Sequence, residues 1–475
     1  MIKIKDSLSG KEKTLPKNIR LFVCGPTVYN YSHIGHARTY LAFDLLVRYL
    51  RSLNYKVKYV QNITDIDDKI INESKKLKIS PFKLAKKFFK FYLSDLKKLN
   101  INSVDIYAPA SKYIKEIESQ ISRLIKKGYA YQTKSGIYFD VQKFPDYGKL
   151  SKQNLDQLSA GYRIEPDPYK HNVLDFALWK TNSEFHNNSK KKMVIYNGEP
   201  LWQSPFGWGR PGWHIEDTAI SEKFFGLNYE MHGGAVELKF PHHEAEIAQA
   251  RALSGKKEFV KIWMHTGVLL INGEKMSKSL NNFIGISQFL EEHSADSLRM
   301  LVFQSHYSSP INYSQSKILE SEKIIDDLKI FLAKIKIISK QSKNKPLGFN
   351  IQKYKKDFYS SLDDNFNTPK ALGVMLGLIK DISPKIWFLS KEESLEIYKF
   401  IYYNFKILGF NLKTEKIPKK IVTLAKKRDF YRNIHKFSQS DALRNKIFDL
   451  GYILEDTKFG TLLWPRNKRK NYQQE

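Results

Sequence analysis

The sequence predicts an α/β protein: a parallel-sheet domain split by an insertion, then a bundle of helices and a small basic C-terminal domain. Three observations predict it. A strand–helix–strand pattern occupies residues 20–63, and two strands joined by a helical crossover lie parallel. A hairpin and a polar stretch interrupt that pattern from residue 129. Beyond about residue 315 the composition turns to Lys, Ile, Leu and Phe at helical spacing, with few glycines.

Residues 20–24, RLFVC, form an apolar run that stops at the turn pair Gly25-Pro26, as a buried strand does. In IGHARTYLAFDLLVRYLRSLNY, residues Ala37, Tyr40, Leu41, Leu45, Leu46 and Leu50 recur mostly three or four apart and mark one face of a helix. KVKYVQNI then reads as the next strand. Residues 81–99 and 111–127 read as helices. In the second, Ile114, Ile117, Ile121, Leu124 and Ile125 form the stripe, Ser111 the cap and Gly128 the stop. YAYQTKSGIYFDV predicts a hairpin turning at Ser135-Gly136. The polar stretch to residue 192, with its lysines at 190–192, reads as an insertion into the sheet domain. MVIYNG at 193–198 and VKIWMHTGVLLI at 260–271 read as returning strands. ILESEKIIDDLKIFLAKIKII predicts a bundle helix, PLGFN a loop, and the terminal RNKRKNYQQE a frayed tail.

At 475 residues the chain exceeds what one core supports, which is about 250–300 residues. No apolar run reaches the roughly 18 residues of a membrane span, and MIKIKDSLSGKEKTL lacks the apolar centre of a secretory signal. Cys24 is the only cysteine, so no internal disulfide forms. Together these predict a cytoplasmic protein without a membrane partner. The net charge of +30 predicts a polyanionic partner, nucleic acid first, although a general richness in Lys, Ile and Asn accounts for part of the excess.

His33-Ile34-Gly35-His36 sits where the first strand hands over to the first helix, the phosphate-binding position of a parallel α/β fold. Free N–H groups and the helix dipole point at an anion there. Gly35, with no Cβ, lets a flat ring lie against the backbone. The two histidines can donate to phosphate oxygens. KMSKS at 275–279 sets two lysines three apart in a glycine-flanked loop, within reach of nucleotide phosphates. Taken singly, the first string also reads as an ordinary polar cap and the second as a solvated basic loop.

As a pair they resemble the signatures of class I aminoacyl-tRNA synthetases. CGPTVYNYSHIGHARTY, NITDIDDKI, GRPGWHIE, MHGGAVELKFPHHEAE and DDNFNTPKAL narrow the resemblance to cysteinyl-tRNA synthetase, over nearly the whole chain and most weakly in the insertion and last domain. The resemblance implies a Rossmann-type catalytic domain in two halves, 1–128 and 193–265, around a connective insertion at 129–192. It further implies a stem-contact region with the KMSKS loop at 266–315, a helical tRNA-binding bundle at 316–412 and an anticodon-recognition domain at 413–475. ATP with Mg²⁺, L-cysteine and tRNA(Cys) are the implied partners, joined through a cysteinyl-adenylate, in a chain expected to act as a monomer. His33, His36, Lys275 and Lys278 are the implied catalytic residues, with Gly35 beside ATP. Cys24, Gly25, Thr64, Trp213 and His232 are implied to line the amino-acid pocket. The alternative for Trp213 is core packing after Pro211-Gly212.

The resemblance also implies a zinc ion at the pocket floor, held by two cysteines, a histidine and a glutamate. Cys24, His242 and Glu246 match three of these positions. The i,i+4 spacing of His242 and Glu246 would set both on one helix face. Asp217 stands where the family has its second cysteine. Aspartate keeps the negative charge and reaches zinc through oxygen at about 2.0–2.2 Å, but it is a harder ligand than thiolate. Either zinc is held by Cys24, Asp217, His242 and Glu246, or the site has lost its metal; three matching ligands favour the first. Ala235 and Glu237 stand where the family favours Gly and Asp. Trp464, Arg466 and Arg432 are candidates for touching unpaired bases. Two rivals remain: a ligase that passes cysteine to an amino-sugar, and a catalytically silent RNA-binding relative.

Overall fold

The computed structural model describes residues 1–152, 167–185, 191–276, 282–412 and 416–465. They divide into two compact units: Met1–Ser321 with Phe358–Leu372 and Ile407–Phe410, and Glu322–Asp357 with Gly373–Lys406 and the described residues from Asn411 onward.

The centre of the first unit is a five-stranded parallel sheet. Its spatial order is Val260–Thr266, Tyr229–Ala235, Asn18–Val23, Lys56–Ile63, Ile106–Pro109. Counted along the chain from the far edge, this is 3-2-1-4-5, the doubly wound Rossmann-type order. The order reverses between Asn18–Val23 and Tyr229–Ala235, where Phe22 pairs with His232 and Val23 with Gly233. Ligands of open α/β sheets gather beyond the carboxyl ends of the strands at that point, and Cys24 is the first residue past Val23.

The first helix, Ile34–Ser52, buries an almost continuous surface. Buried Asp44 on it accepts from Arg48 at 2.7 Å and Arg299 at 3.1 Å. Arg38 donates to the carbonyls of Tyr307 at 2.5 Å and Ser309 at 2.9 Å, tying the same helix to the chain beyond the KMSKS loop. Helices Ile114–Lys126, Trp213–Phe225 and Glu244–Ser254 pack with the sheet and the inserted strands around one apolar core that includes Phe22, Ile117, Phe139, Trp179 and Trp263.

The insertion is a six-stranded antiparallel sheet in the order Ala130–Gln132, Gly136–Phe139, Phe176–Thr181, Gly207–Pro211, Glu199–Ser204, Met193–Tyr196. The Ser135-Gly136 hairpin forms as expected. Met193–Tyr196 does not return to the parallel sheet: it pairs antiparallel with Glu199–Ser204 at the edge of the inserted sheet. The chain re-enters the parallel sheet only at Tyr229. Residues 260–271 form two strands, Val260–Thr266 in the parallel sheet and Leu269–Ile271 in a small sheet with Glu274–Lys275 and Ile311–Tyr313. Ser111 is not the cap of its helix. Its hydroxyl donates to Asp65 at 2.6 Å, and the helix starts at Ile114.

In the second unit, helices Lys419–Asn433 and Phe437–Asp449 pack on a hairpin of Tyr452–Thr457 and Gly460–Pro465. Arg428 is buried there against Asp456, which also accepts from Arg432 at 2.7 Å. Trp464 is buried with the Lys334 ammonium over its ring, so it packs and does not present a face to a base. Arg466 lies outside the described residues. Among those described, no helix is long and apolar enough to cross a membrane.

Candidate active site and metal centre

His33 caps the first helix with its own side chain. Its Nδ1 accepts from the Gly35 N–H at 3.1 Å, and the His36 Nδ1 accepts from the His33 N–H at 3.3 Å. The rings stack with centroids 3.8 Å apart. With each Nδ1 occupied as an acceptor, each neutral ring keeps its proton on Nε2 as a donor. Burial holds the His33 imidazole down at about 4, although Glu237 pulls it up, and burial drives His36 further down with the His33 and Lys69 charges adding. Both are neutral donors. A Cβ on Gly35 would lie 2.8 Å from the His33 Nδ1, so glycine here makes room for the capping imidazole.

One expectation is corrected. The backbone N–H groups of this helix start are not free for an anion. Ile34 N–H donates to the Ile284 carbonyl, Gly35 N–H to the His33 ring, and the N–H groups of His36 and Ala37 to the His33 carbonyl. Ile286 N–H in turn donates to the Ser32 carbonyl, so the strand of chain following KMSKS is stitched to the start of the helix. Anion support there falls to the histidine Nε2–H groups and the helix dipole.

Beside this helix start is a cavity of about 310 Å³. Cys24, Gly25, His33, Gly35, His36, Tyr40, Trp213, Glu237 and Lys275 are among its walls. Gly25 N–H donates to the Asn62 side chain at 2.5 Å, and a Cβ on Gly25 would meet the Asn62 carbonyl at 1.8 Å. Trp213 is 37% exposed, which excludes the core-packing alternative. Its ring stacks on His242 with centroids 4.3 Å apart. Lys275 is ion-paired with Glu237 at the cavity rim. Thr64 is buried, donating to Glu216 Oε2 at 3.0 Å, and is not among the cavity walls. Lys278 lies outside the described residues.

Cys24, which lines the cavity, also belongs to a buried cluster. Ligand atoms of Cys24, Asp217, His242 and Glu246 all lie within 4.8 Å of one another. His242 Nε2 is 3.0 Å from Asp217 Oδ2 and 3.2 Å from Glu246 Oε1, and Cys24 Sγ is 3.8 Å from Glu246 Oε1. His242 sits in a wide turn, Lys239–His243, just ahead of the helix that carries Glu246, and still reaches it. Asp217 Oδ1 and Glu246 Oε2 are buried with no hydrogen-bond partner among the described residues, although His232 Nε2 approaches Glu246 Oε2 to 3.4 Å. Burial pushes the Cys24 thiol well up, and the Asp217 and Glu246 charges add to this; burial likewise pushes Glu246 up, with Asp217 adding. A buried set of one sulfur, two carboxylates and one imidazole, with orphaned carboxylate oxygens, fits a divalent cation.

A second foursome shares two of these residues: Cys24, His232, His243 and Glu246 also bring their ligand atoms within 4.8 Å. His232 is fully buried, its Nε2 3.4 Å from Cys24 Sγ, and is not among the cavity walls. The sequence reading passed over His214, whose Nδ1 is 2.9 Å from His242 Nδ1. It also passed over His243, 3.1 Å from Cys24 Sγ, and over Tyr229 and His265 behind the ring of histidines. The only signals were adjacency: His214 follows Trp213, and His243 follows His242.

Residues 11–323 match the family model described as the tRNA synthetases class I (C) catalytic domain. The chain is 42% identical over 447 residues to the cysteine–tRNA ligase of Thermoplasma volcanium, spanning 94% of this chain and 95% of that protein. It is 40% identical over 482 residues to the cysteine–tRNA ligase of Methanococcus vannielii, spanning 96% and 98%. Among solved structures it resembles the Mycobacterium tuberculosis methionyl-tRNA synthetase in complex with methionyl-adenylate. The TM-score is 0.58 at 13% identity, over 83% of this chain and 90% of that one. The Agrobacterium radiobacter K84 LeuRS, in a ternary complex with tRNA and LeuAMS, gives 0.61 at 10%, over 84% and 85%. At these identities the structural likeness concerns the fold.

Proposed function

We propose, from the premise that the chain belongs to the class I (C) tRNA synthetase family, that it ligates L-cysteine to tRNA(Cys) at the expense of ATP. The observation that carries the reading is a juxtaposition. The Cys24–Asp217–His242–Glu246 cluster and the His33–His36 helix start contribute to one small cavity, through Cys24 on one side and both histidines on the other.

In the first half-reaction the cysteine carboxylate attacks the α-phosphate of ATP. The P–O bond to pyrophosphate breaks, and cysteinyl-adenylate forms. Charge builds on the phosphates as pyrophosphate leaves. The Nε2–H groups of His33 and His36 donate to those oxygens without needing to change protonation, because burial keeps both rings neutral. Lys275 exchanges its exposed pairing with Glu237 for the leaving pyrophosphate, and Lys278 serves the same end. Mg²⁺ accompanies the nucleotide. In the second half-reaction a hydroxyl of the tRNA's terminal adenosine attacks the adenylate carbonyl and AMP leaves. Trp213 and Gly25 form walls of the amino-acid pocket; His232 acts behind them through its contact with Cys24, and Thr64 through its bond to Glu216. Holding both reactants in one cavity supplies much of the rate, since positioning makes the step effectively unimolecular.

Cys24, Asp217, His242 and Glu246 would hold zinc. Bound there, zinc supplies a soft Lewis acid that favours a sulfur side chain over the hydroxyl of serine, a difference that shape alone discriminates poorly. The chain works as a monomer and grips its RNA chiefly through phosphates.

Pyrophosphate exchange dependent on L-cysteine, followed by charging of transcribed tRNA(Cys), tests the reading. Both activities are expected. Exchange without charging would point to another acceptor such as an amino-sugar, and no exchange to a silent RNA-binding protein.

A further inference from the structure

We propose that His243 is a hydrogen-bond donor to the Cys24 sulfur, oriented by His265, and not a ligand of the metal; this rests on the metal reading above. Two overlapping foursomes compete for the ion, sharing Cys24 and Glu246. The ring protons decide between them.

A histidine that ligates through Nε2 carries its proton on Nδ1. Were His243 a ligand, its Nδ1–H would donate to His265 Nε2, 2.8 Å away. The His265 proton would then sit on Nδ1, which is buried and has no partner among the described residues. A buried N–H without an acceptor loses its full hydration. In the opposite arrangement His265 Nε2–H donates to His243 Nδ1, only a bare lone pair remains on His265 Nδ1, and His243 Nε2–H faces Cys24 Sγ at 3.1 Å. Every proton then has an acceptor.

The carboxylates agree. An ion in the His232–His243 position would leave buried Asp217 outside the shell with Oδ1 unpartnered. In the Asp217–His242 position Asp217 joins the shell beside Glu246, which both foursomes share. His242 then carries its proton on Nδ1 and donates to His214 Nδ1 at 2.9 Å. His232 repeats the pattern on the other side. The Tyr229 hydroxyl donates to its Nδ1 at 2.6 Å, leaving Nε2–H between the sulfur and Glu246 Oε2, each 3.4 Å away. The single thiolate of the shell thus has His243 Nε2–H as its near donor, with His232 Nε2–H shared between it and Glu246. Such contacts orient a metal ligand and temper its donation.

The test uses full-length protein loaded with zinc, and the same protein loaded with Co²⁺, in the variants His243→Leu, His243→Gln, His265→Leu and His242→Gln. Metal per chain, the rate of release to a chromogenic chelator and the sulfur-to-cobalt charge-transfer band are measured. His243→Leu and His265→Leu are expected to keep one ion, release it about 10-fold faster and shift the band in the same direction. His243→Gln, which can still donate an N–H, is expected to stay near the unsubstituted protein, and His242→Gln to lose the ion. Loss of the ion from His243→Leu as complete as from His242→Gln overturns the proposal. So does His265→Leu with band and release unchanged, an arm that removes no member of either foursome and decides the relay even if His243→Leu is unstable. An unsubstituted protein that binds neither metal overturns the metal reading itself, a different result.

Discussion

Asp217 is the residue on which the chemistry of the proposed metal site turns. A carboxylate in place of a second thiolate leaves one sulfur among harder donors, so zinc should be held less tightly than by two thiolates. Asp217→Cys is expected to slow zinc release and to raise the preference for cysteine over serine in pyrophosphate exchange. Asp217→Ala is expected to lower metal content well below one ion per chain; elemental analysis reads it directly. Gly35 supplies a second residue-scale prediction. Its added Cβ would meet the His33 imidazole at 2.8 Å, so Gly35→Ala should displace the capping ring and cut exchange by about 100-fold while the thermal midpoint hardly moves. That Cys24, Asp217, His242 and Glu246 gather was legible in the sequence only through the resemblance, since each falls in a motif that carries it. His243 and His265 were not. Their part depends on which nitrogen faces which neighbour across strands that lie far apart in the chain, and no local spacing encodes that.

Between elements, the Arg20–Glu230 pair joins the two strands at the switch point from the solvent side. Arg20 donates to Glu230 at 2.7 and 2.9 Å and to the carbonyls of Phe225 and Asn228. Burial alone would raise the Glu230 carboxyl, but the hydrogen bonds and charge of Arg20 prevail and hold it at about 2 instead of 4.5. A carboxyl whose folded value lies below its unfolded one stabilises the fold above about pH 4.5, and that contribution disappears as pH falls toward 2. Glu230→Gln should therefore lower the unfolding midpoint by a few degrees at neutral pH. The difference from the unsubstituted protein should shrink steadily below pH 4.5. Midpoints across a pH series check it. The elements themselves were unevenly legible. Lys56–Ile63 is the strand that KVKYVQNI predicts, because β-branched and aromatic residues crowd it. Trp213–Phe225 went unread as a helix: residues from His214 to Ser221 are all buried, so no polar face marks a 3.6-residue period. Met193–Tyr196 pairs in the inserted sheet and not in the parallel one, a difference its sequence does not carry because an extended segment does not announce its partner.

For the whole molecule, the charge of +30 is a claim about a polyanion. If tRNA is gripped mainly through phosphates, its affinity should fall steeply and log-linearly with salt, whereas cysteine-dependent pyrophosphate exchange, which needs no RNA, should change little over the same range. Filter binding and exchange assays on one salt series separate the two. The α/β class and the helical C-terminal region were visible in composition and periodicity. The 3-2-1-4-5 order, which puts Cys24 at the switch point, was not, since strand order depends on long-range pairing. Selection of cysteine by its sulfur requires that the Cys24–Asp217–His242–Glu246 cluster hold a metal ion. Zinc K-edge absorption on purified full-length protein, together with elemental analysis, tests that most directly. One zinc per chain with a single sulfur among nitrogen and oxygen neighbours is the predicted result. A metal-free protein that still activates cysteine and rejects serine would contradict it.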